Sequence, residues 1–197
     1  MWIFDSIFEF IFLVGWLTML IIRIGPARCC KKQPVTLDRR FLIDKMLLAL
    51  AALTYTIFPL VYLFSPWLDA ADYSLPDRWG YLGAALLSLG LLIIYKAHLD
   101  LGRNFGIEPV IFQGHQLINN GIYHYIRHPM YAAFMLISIS QALLLENWIA
   151  GLSAIITFIP LYLVRVRQEE KMMLEHFGDT YLKYMQQTGR ICPKLKI

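Results

Sequence analysis

The sequence predicts an all-α integral membrane protein of five transmembrane helices. The N-terminus lies outside and the C-terminus in the cytoplasm, and a cytoplasmic connector and a helical tail form the site. Three observations predict this. Apolar residues make up 58% of the 197 residues and charged residues 16%, against roughly 45–50% and about 25% in a soluble domain. The apolar excess falls in five runs, about 2–22, 42–64, 79–97, 129–145 and 148–164, each of a length that can cross a bilayer. Lys and Arg alternate between rich and poor connections from run to run, as a polytopic protein requires. The net charge of +4 therefore reads as membrane orientation and not as a nucleic-acid signal. The length suits one domain, 1–197.

The first run carries Asp5 and Glu9 near its start, with no basic region before it. That pattern predicts a retained helix rather than a cleaved signal peptide. Pro26 and Pro34 are expected to break any helix in the connection that follows. That connection is strongly basic, with Arg23, Arg28, Lys31, Lys32, Arg39, Arg40 and Lys45. Pro59 predicts a kink in the second run. The next connection has Arg78 alone, and Trp67, Tyr73 and Trp79 read as interface anchors. The third run holds Gly83, Ala84, Ala85, Ser88 and Gly90, small residues that let a neighbouring helix approach closely. Lys96, His98, Asp100 and Arg103 mark its exit.

The connector, 98–128, is mixed in polarity and does not span. Pro129 opens the fourth run, where a first-turn proline is favoured. Glu146, Asn147 and Trp148 make a tight turn, so the fourth and fifth runs form an antiparallel hairpin. The tail, 165–197, is expected to continue the fifth helix past Arg165, Arg167, Glu169 and Glu170. It should end near Gly178 and be followed by a short helix over about 179–187. The first connection, the connector and the tail are basic, so all three are assigned to the cytoplasm. Cys29, Cys30 and Cys192 have neither disulfide nor zinc spacing. The first two read as reduced thiols beside the membrane, a setting also open to acylation.

The stretch Gly121-Ile-Tyr-His-Tyr-Ile-Arg-His-Pro-Met-Tyr131 concentrates polar chemistry between two apolar runs. The free N–H groups of a helix that begins at Pro129 attract an anion, so Arg127 and His128 stand at an anion site. The same residues also suit a basic-aromatic belt at the membrane surface. Arg165 and Glu169 are four apart and share a helix face, as a site pair or as a surface ion pair of little worth. Tyr181 and Tyr184 suit packing on the membrane surface, and His124 a solvated loop. No Ser/His/Asp order indicates a hydrolase, and no ligand spacing indicates a metal.

His128-Pro-Met-Tyr131, preceded by Gly121-Ile-Tyr123 and by His115-Gln-Leu-Ile118, resembles the signature of the isoprenylcysteine carboxyl methyltransferase family. The tail, with Arg165, Glu169-Glu170, Phe177-Gly178, Tyr181, Tyr184 and Pro193, resembles that family's C-terminal pattern. The likeness covers about 96–194. It implies an enzyme that uses S-adenosyl-L-methionine to methylate a lipophilic acceptor, most simply the carboxylate of an isoprenylated cysteine. It also implies that His115, Gln116, Leu117, Ile118, Tyr123, His128, Pro129, Met130, Tyr131 and Glu169 line the cofactor and that Arg165 meets the substrate. Glu108 stands where the family has a polar cofactor contact. The implied partners are membrane lipids and a prenylated or lipid-like substrate entering from the bilayer, with neither nucleic acid nor metal.

The chemistry is consistent with those residue types. Glu169 suits the cofactor's ammonium, and His128 with the helix start suits its carboxylate. Tyr123 and Tyr131 suit the adenine or the sulfonium. An acceptor carboxylate is already ionised at neutral pH, so no general base is needed. Arg165 suits that carboxylate. A phospholipid N-methyltransferase is the first alternative, and it would need a base, His128 or Glu170. An NADPH-dependent membrane sterol reductase and a non-catalytic scaffold of the same fold are the others.

Overall fold

The computed structural model describes residues 6–30, 35–38, 42–105, 110–112 and 114–194. Helix α1 covers Ile7–Cys30. Pro26 does not end it, since the helix continues to Cys30. Pro34 lies outside the described residues. Helix α2 covers Leu42–Ala52 and α3 covers Phe58–Phe64. Helix α4 runs over Asp77–Leu101, longer than its apolar run. The ion pair of Lys96 with Asp100, 3.0 Å apart and one turn removed, stabilises that extra turn. Helix α5 covers Pro129–Leu145, α6 Ser153–Phe177 and α7 Asp179–Gln187.

Three helical segments, Ile7–Gly25, Leu42–Phe64 and Asp77–Leu101, are long and apolar enough to cross a membrane. Helix α5 is apolar but only 17 residues long. Helix α6 starts later than its run predicts. The Asn147 Oδ1 accepts the N–H groups of Ile149 and Ala150, and this side-chain turn holds the chain out of the helix until Ser153. The amide of Asn147 also donates to Leu68 O and Asp72 Oδ1. One buried side chain thus joins the α3–α4 connection to the α5–α6 turn.

Among the described residues the fold departs from all-α in a two-stranded sheet. Strands β1, Val35–Asp38, and β2, Val110–Phe112, pair antiparallel, with Leu37 opposite Ile111. The pairing ties the first connection to the 98–128 connector, an association with no local sequence signal.

The kink at Pro59 is a π-helical segment, Leu53–Ile57, between α2 and α3. The N–H of Phe58 donates to Leu53 O, five residues back. In that register Thr54 O would be bonded by residue 59, and proline has no N–H to give. The Gln141 amide supplies the missing donor. It reaches Thr54 O at 2.9 Å and Ala150 O at 2.6 Å. A fully buried glutamine in α5 therefore follows from a proline in the opposite helix, because an unpaired carbonyl in an apolar interior is costly.

Helices α4 and α5 pack closely, as the small residues predict. A Cβ at Gly90 would lie 3.1 Å from Ala133 O and 2.9 Å from Ile137 Cγ1. The core beneath is formed by Phe8, Phe12, Leu87, Ile137, Leu144 and Leu145. Replacing Gly90 with leucine should lower the melting temperature of the detergent-solubilised protein, by overpacking of roughly 1–3 kcal/mol. Gly25→Leu is the control, because nothing lies within 4 Å of a Cβ at that position. Equal melting of the two variants would mean that α4 and α5 are not held at this distance.

Candidate active site

The α5–α6 hairpin sets the site. Its turn lies at one end, so the start of α5 and the polar half of α6 come together at the other. There Tyr131 donates to Glu169 Oε1 at 2.6 Å. His128 lies between two carboxylates, with Nδ1 3.6 Å from Glu169 Oε2 and Nε2 3.4 Å from Glu170 Oε1. Arg165 is buried, at 5% exposure, and so is not part of a surface ion pair.

Glu170 is the hub. Its Oε1 accepts from Arg127 Nε and Nη2 and from Arg190 Nε, and its Oε2 accepts from Arg190 Nη2 at 2.7 Å. Arg127 also donates to the carbonyls of Met185 and Thr188. The backbone completes the joint. The N–H groups of Arg127 and His128 donate to Gly189 O and Arg190 O, each at 2.9 Å. The anion expected beside Arg127 and His128 is therefore supplied, at least in part, by the chain itself.

Electrostatics follows from these contacts. Burial alone would raise the Glu170 carboxyl, but its bonds with His128, Arg190 and Arg127 hold it down at about 2. Burial likewise opposes ionised Glu169, and His128, Arg165 and the Tyr131 hydroxyl outweigh it, leaving its pKa lowered. Burial disfavours charged His128, yet its two carboxylate neighbours hold it above its usual value. Burial, with a smaller contribution from His176, pushes His115 down to about 4, so it is neutral at pH 7.

A cavity of about 440 Å³ opens beside these groups. Its lining includes His115, Gln116, Leu117, Ile118, Tyr123, His128, Pro129, Met130, Tyr131, Arg165 and Glu169. Those predicted positions are scattered over the connector, α5 and α6, and the fold gathers them on one wall system. Glu108 lies outside the described residues. His124 is exposed, as a loop histidine would be. Tyr181 and Tyr184 are not on the membrane surface. They are 2% and 7% exposed, line the cavity, and Tyr184 donates to Tyr123 O at 2.6 Å.

Several lining residues were not predicted. Met19, Leu20 and Arg23 come from α1, Leu48, Ala51 and Ala52 from α2, Tyr55 from the π segment, and Phe134 and Phe158 from the hairpin. The apolar ones carry no signal that separates them from lipid-facing residues. Arg23 does, as a charge inside a spanning segment. Glu170 was read as part of the tail pattern and as a candidate base, and not as the partner of Arg127 and Arg190.

Fold and site together define a helical membrane protein whose polar site adjoins an apolar cavity. Residues 83–175 match the family model described as isoprenylcysteine carboxyl methyltransferase. The chain is similar to the protein-S-isoprenylcysteine O-methyltransferase of Schizosaccharomyces pombe, 29% identical over 100 residues, covering 50% of this chain and 42% of the relative. It is 30% identical over 127 residues to that of Saccharomyces cerevisiae, covering 63% and 53%. With that of Rattus norvegicus it shares 27% over 173 residues, covering 83% and 57%. The chain spans about half the length of these curated relatives. Among solved structures, a eukaryotic intramembrane Ras methyltransferase, isoprenylcysteine carboxyl methyltransferase, superposes with a TM-score of 0.57 at 20% identity, over 97% of this chain and 69% of that one. At that identity the likeness is one of fold. Three apolar helices of spanning length make this chain an integral membrane protein.

Glu170→Ala should destabilise the protein by roughly 3–5 kcal/mol, since it leaves buried cations without their carboxylate. The pH dependence carries a sign. The folded Glu170 is depressed from 4.5 to about 2, so its contribution is full above 4.5 and is lost as the pH falls through about 2. Melting temperatures measured downward from pH 5 should drop in that window for the wild type. The part of the drop due to Glu170 should be missing in the variant. Parallel acid profiles would show that Glu170 is not the group responsible.

Proposed function

We propose that this protein transfers a methyl group from S-adenosyl-L-methionine to the carboxylate of an isoprenylated cysteine. One observation carries the reading. A single cavity is lined both by Glu169, His128, Tyr131 and Arg165 and by apolar residues of α1, α2 and the hairpin. A charged cofactor and a greasy acceptor need such a mixed site. The curated relatives named above are protein-S-isoprenylcysteine O-methyltransferases, which supports the same acceptor class.

The residues present fit the cofactor. Glu169, half-buried and held ionised, suits its ammonium. Buried Tyr131 and Tyr123 provide aromatic faces for a cation or the adenine. His115 to Ile118 and His128 to Met130 supply the remaining walls, and Glu108 belongs to the same set in this reading. When bound, the cofactor supplies an electrophilic methyl group on a sulfonium. The protein's share is to bind, to orient and to exclude water. Arg165 holds the acceptor carboxylate, which needs no base.

The amine acceptor of a phospholipid N-methyltransferase must lose a proton. Glu170, held near 2, is poorly poised to take it. In the membrane, α5 and the first half of α6 complete five spans. The N-terminus is then outside, and the connector, the tail and the site face the cytoplasm, in accord with the distribution of Lys and Arg.

Calorimetric titration tests the cofactor, and transfer of labelled methyl to S-farnesylcysteine tests the acceptor. The wild type should bind S-adenosyl-L-methionine and not NADPH, and Glu169→Ala should lose that binding. Arg165→Gln should keep cofactor binding but lose turnover by about 100-fold or more, the scale for removing a donor to a reacting oxyanion. Binding of NADPH instead would move the protein to the reductases. Binding of neither would leave the scaffold reading.

A further inference from the structure

Arg23 stands apart from the other cations of α1. It lies within the spanning segment Ile7–Gly25, near its end. A cation there normally extends outward to the headgroups. Arg23 turns inward instead. Its guanidinium carbon lies 5.2 Å from the centroid of the Phe134 ring, and the residue lines the cavity that Arg165 also lines. Among the described residues no ion pair takes up Arg23.

The position is informative. Phe134 is on α5, one turn further into the helix than Met130 and Tyr131. Arg23 therefore lines the cavity at Phe134, and Met19, Leu48 and Ala51 are also in its lining. A charge facing a site inside a spanning segment is a functional feature by default. Among the described residues no carboxylate pairs with Arg23, and an anion lodged beside it relieves the cost of holding its charge in a low-dielectric cavity. The Phe134 face steadies Arg23 without neutralising it.

We propose that Arg23 is a second binding residue for the acceptor's anionic head. Together with Arg165 it selects a lipophilic acceptor that carries a carboxylate over its neutral counterpart. The inference rests on the proposed function for the identity of the acceptor. It adds a specificity residue from α1, outside the 83–175 family region. Arg23 acts on the acceptor and not on the cofactor, whose polar groups fall to the connector and α6.

The test is direct binding by the full chain in detergent. Wild type, Arg23→Gln and Arg23→Lys are titrated with S-farnesylcysteine, with its methyl ester and with S-adenosyl-L-methionine. The wild type should bind the acid about tenfold or more tightly than the ester, the scale of a charge-assisted hydrogen bond. Arg23→Gln should lose most of that preference and Arg23→Lys should keep much of it. Cofactor affinity should stay within about twofold in each, since these contacts are independent. Arg23→Met, apolar and similar in length, carries the same test if the glutamine variant does not fold. An acid preference that survives loss of the charge overturns the assignment, and so does a wild type that binds acid and ester alike. Methyl transfer is scored separately. Acid selection that depends on Arg23, without turnover, would overturn the proposed function and leave Arg23 in place. Turnover with unchanged selection in Arg23→Gln would do the reverse.

Discussion

The Glu170 carboxylate is the interaction on which the rest of the site depends. It accepts from an arginine just before α5, an arginine past the end of α7, and faces His128 between them. These three groups come from distant parts of the chain and all carry or attract positive charge. Without a buried anion they would repel one another and stay in water. With it they close the C-terminal segment onto the Arg127–His128 backbone, where two N–H groups already bond Gly189 and Arg190. The mouth of the cavity, including Tyr181 and Tyr184, is thereby built from the tail.

Adjacent glutamates on one helix divide the labour. Glu170 points into the protein and is fully engaged. Glu169, about 100° around the helix, faces the cavity with one oxygen on Tyr131. The first organises the scaffold and the second lines the cavity. His128 touches both and couples them, so a change at either carboxylate is felt by the other. This coupling is local and physical, carried by contacts of 3.4 and 3.6 Å.

The apolar half of the cavity depends on a different constraint. Pro59 deletes a donor, the helix relaxes into a π segment, and Gln141 of α5 restores the bond. The bulge turns Tyr55 inward, where its hydroxyl bonds Ser138. The close α4–α5 contact at Gly90 holds the other side of α5. Helix α5 is thus fixed on both faces, and its first turn presents Pro129, Met130 and Tyr131 to the cavity.

Much was legible in the sequence because it is written locally. Apolar run length marks the helices, proline at 129 and glycine at 178 mark boundaries, and α7 falls on Asp179–Gln187 as its flanking residues require. Arg165 and Glu169 share a face by spacing alone. What lacked a local signature came only with the tertiary structure. Nothing near Glu170 tells that its partners are at 127 and 190, since charge pairing over long separations has no periodicity. The β1–β2 pairing, the inward turn of Arg23 and the burial of Tyr181 and Tyr184 are of the same kind. So is the start of α6 at Ser153, which depends on how Asn147 is held. The sequence by itself determined which segments are helices and which side chains carry chemistry. The packing of those helices decided which of these side chains meet, because burial and ion pairing depend on neighbours that sequence distance does not reveal.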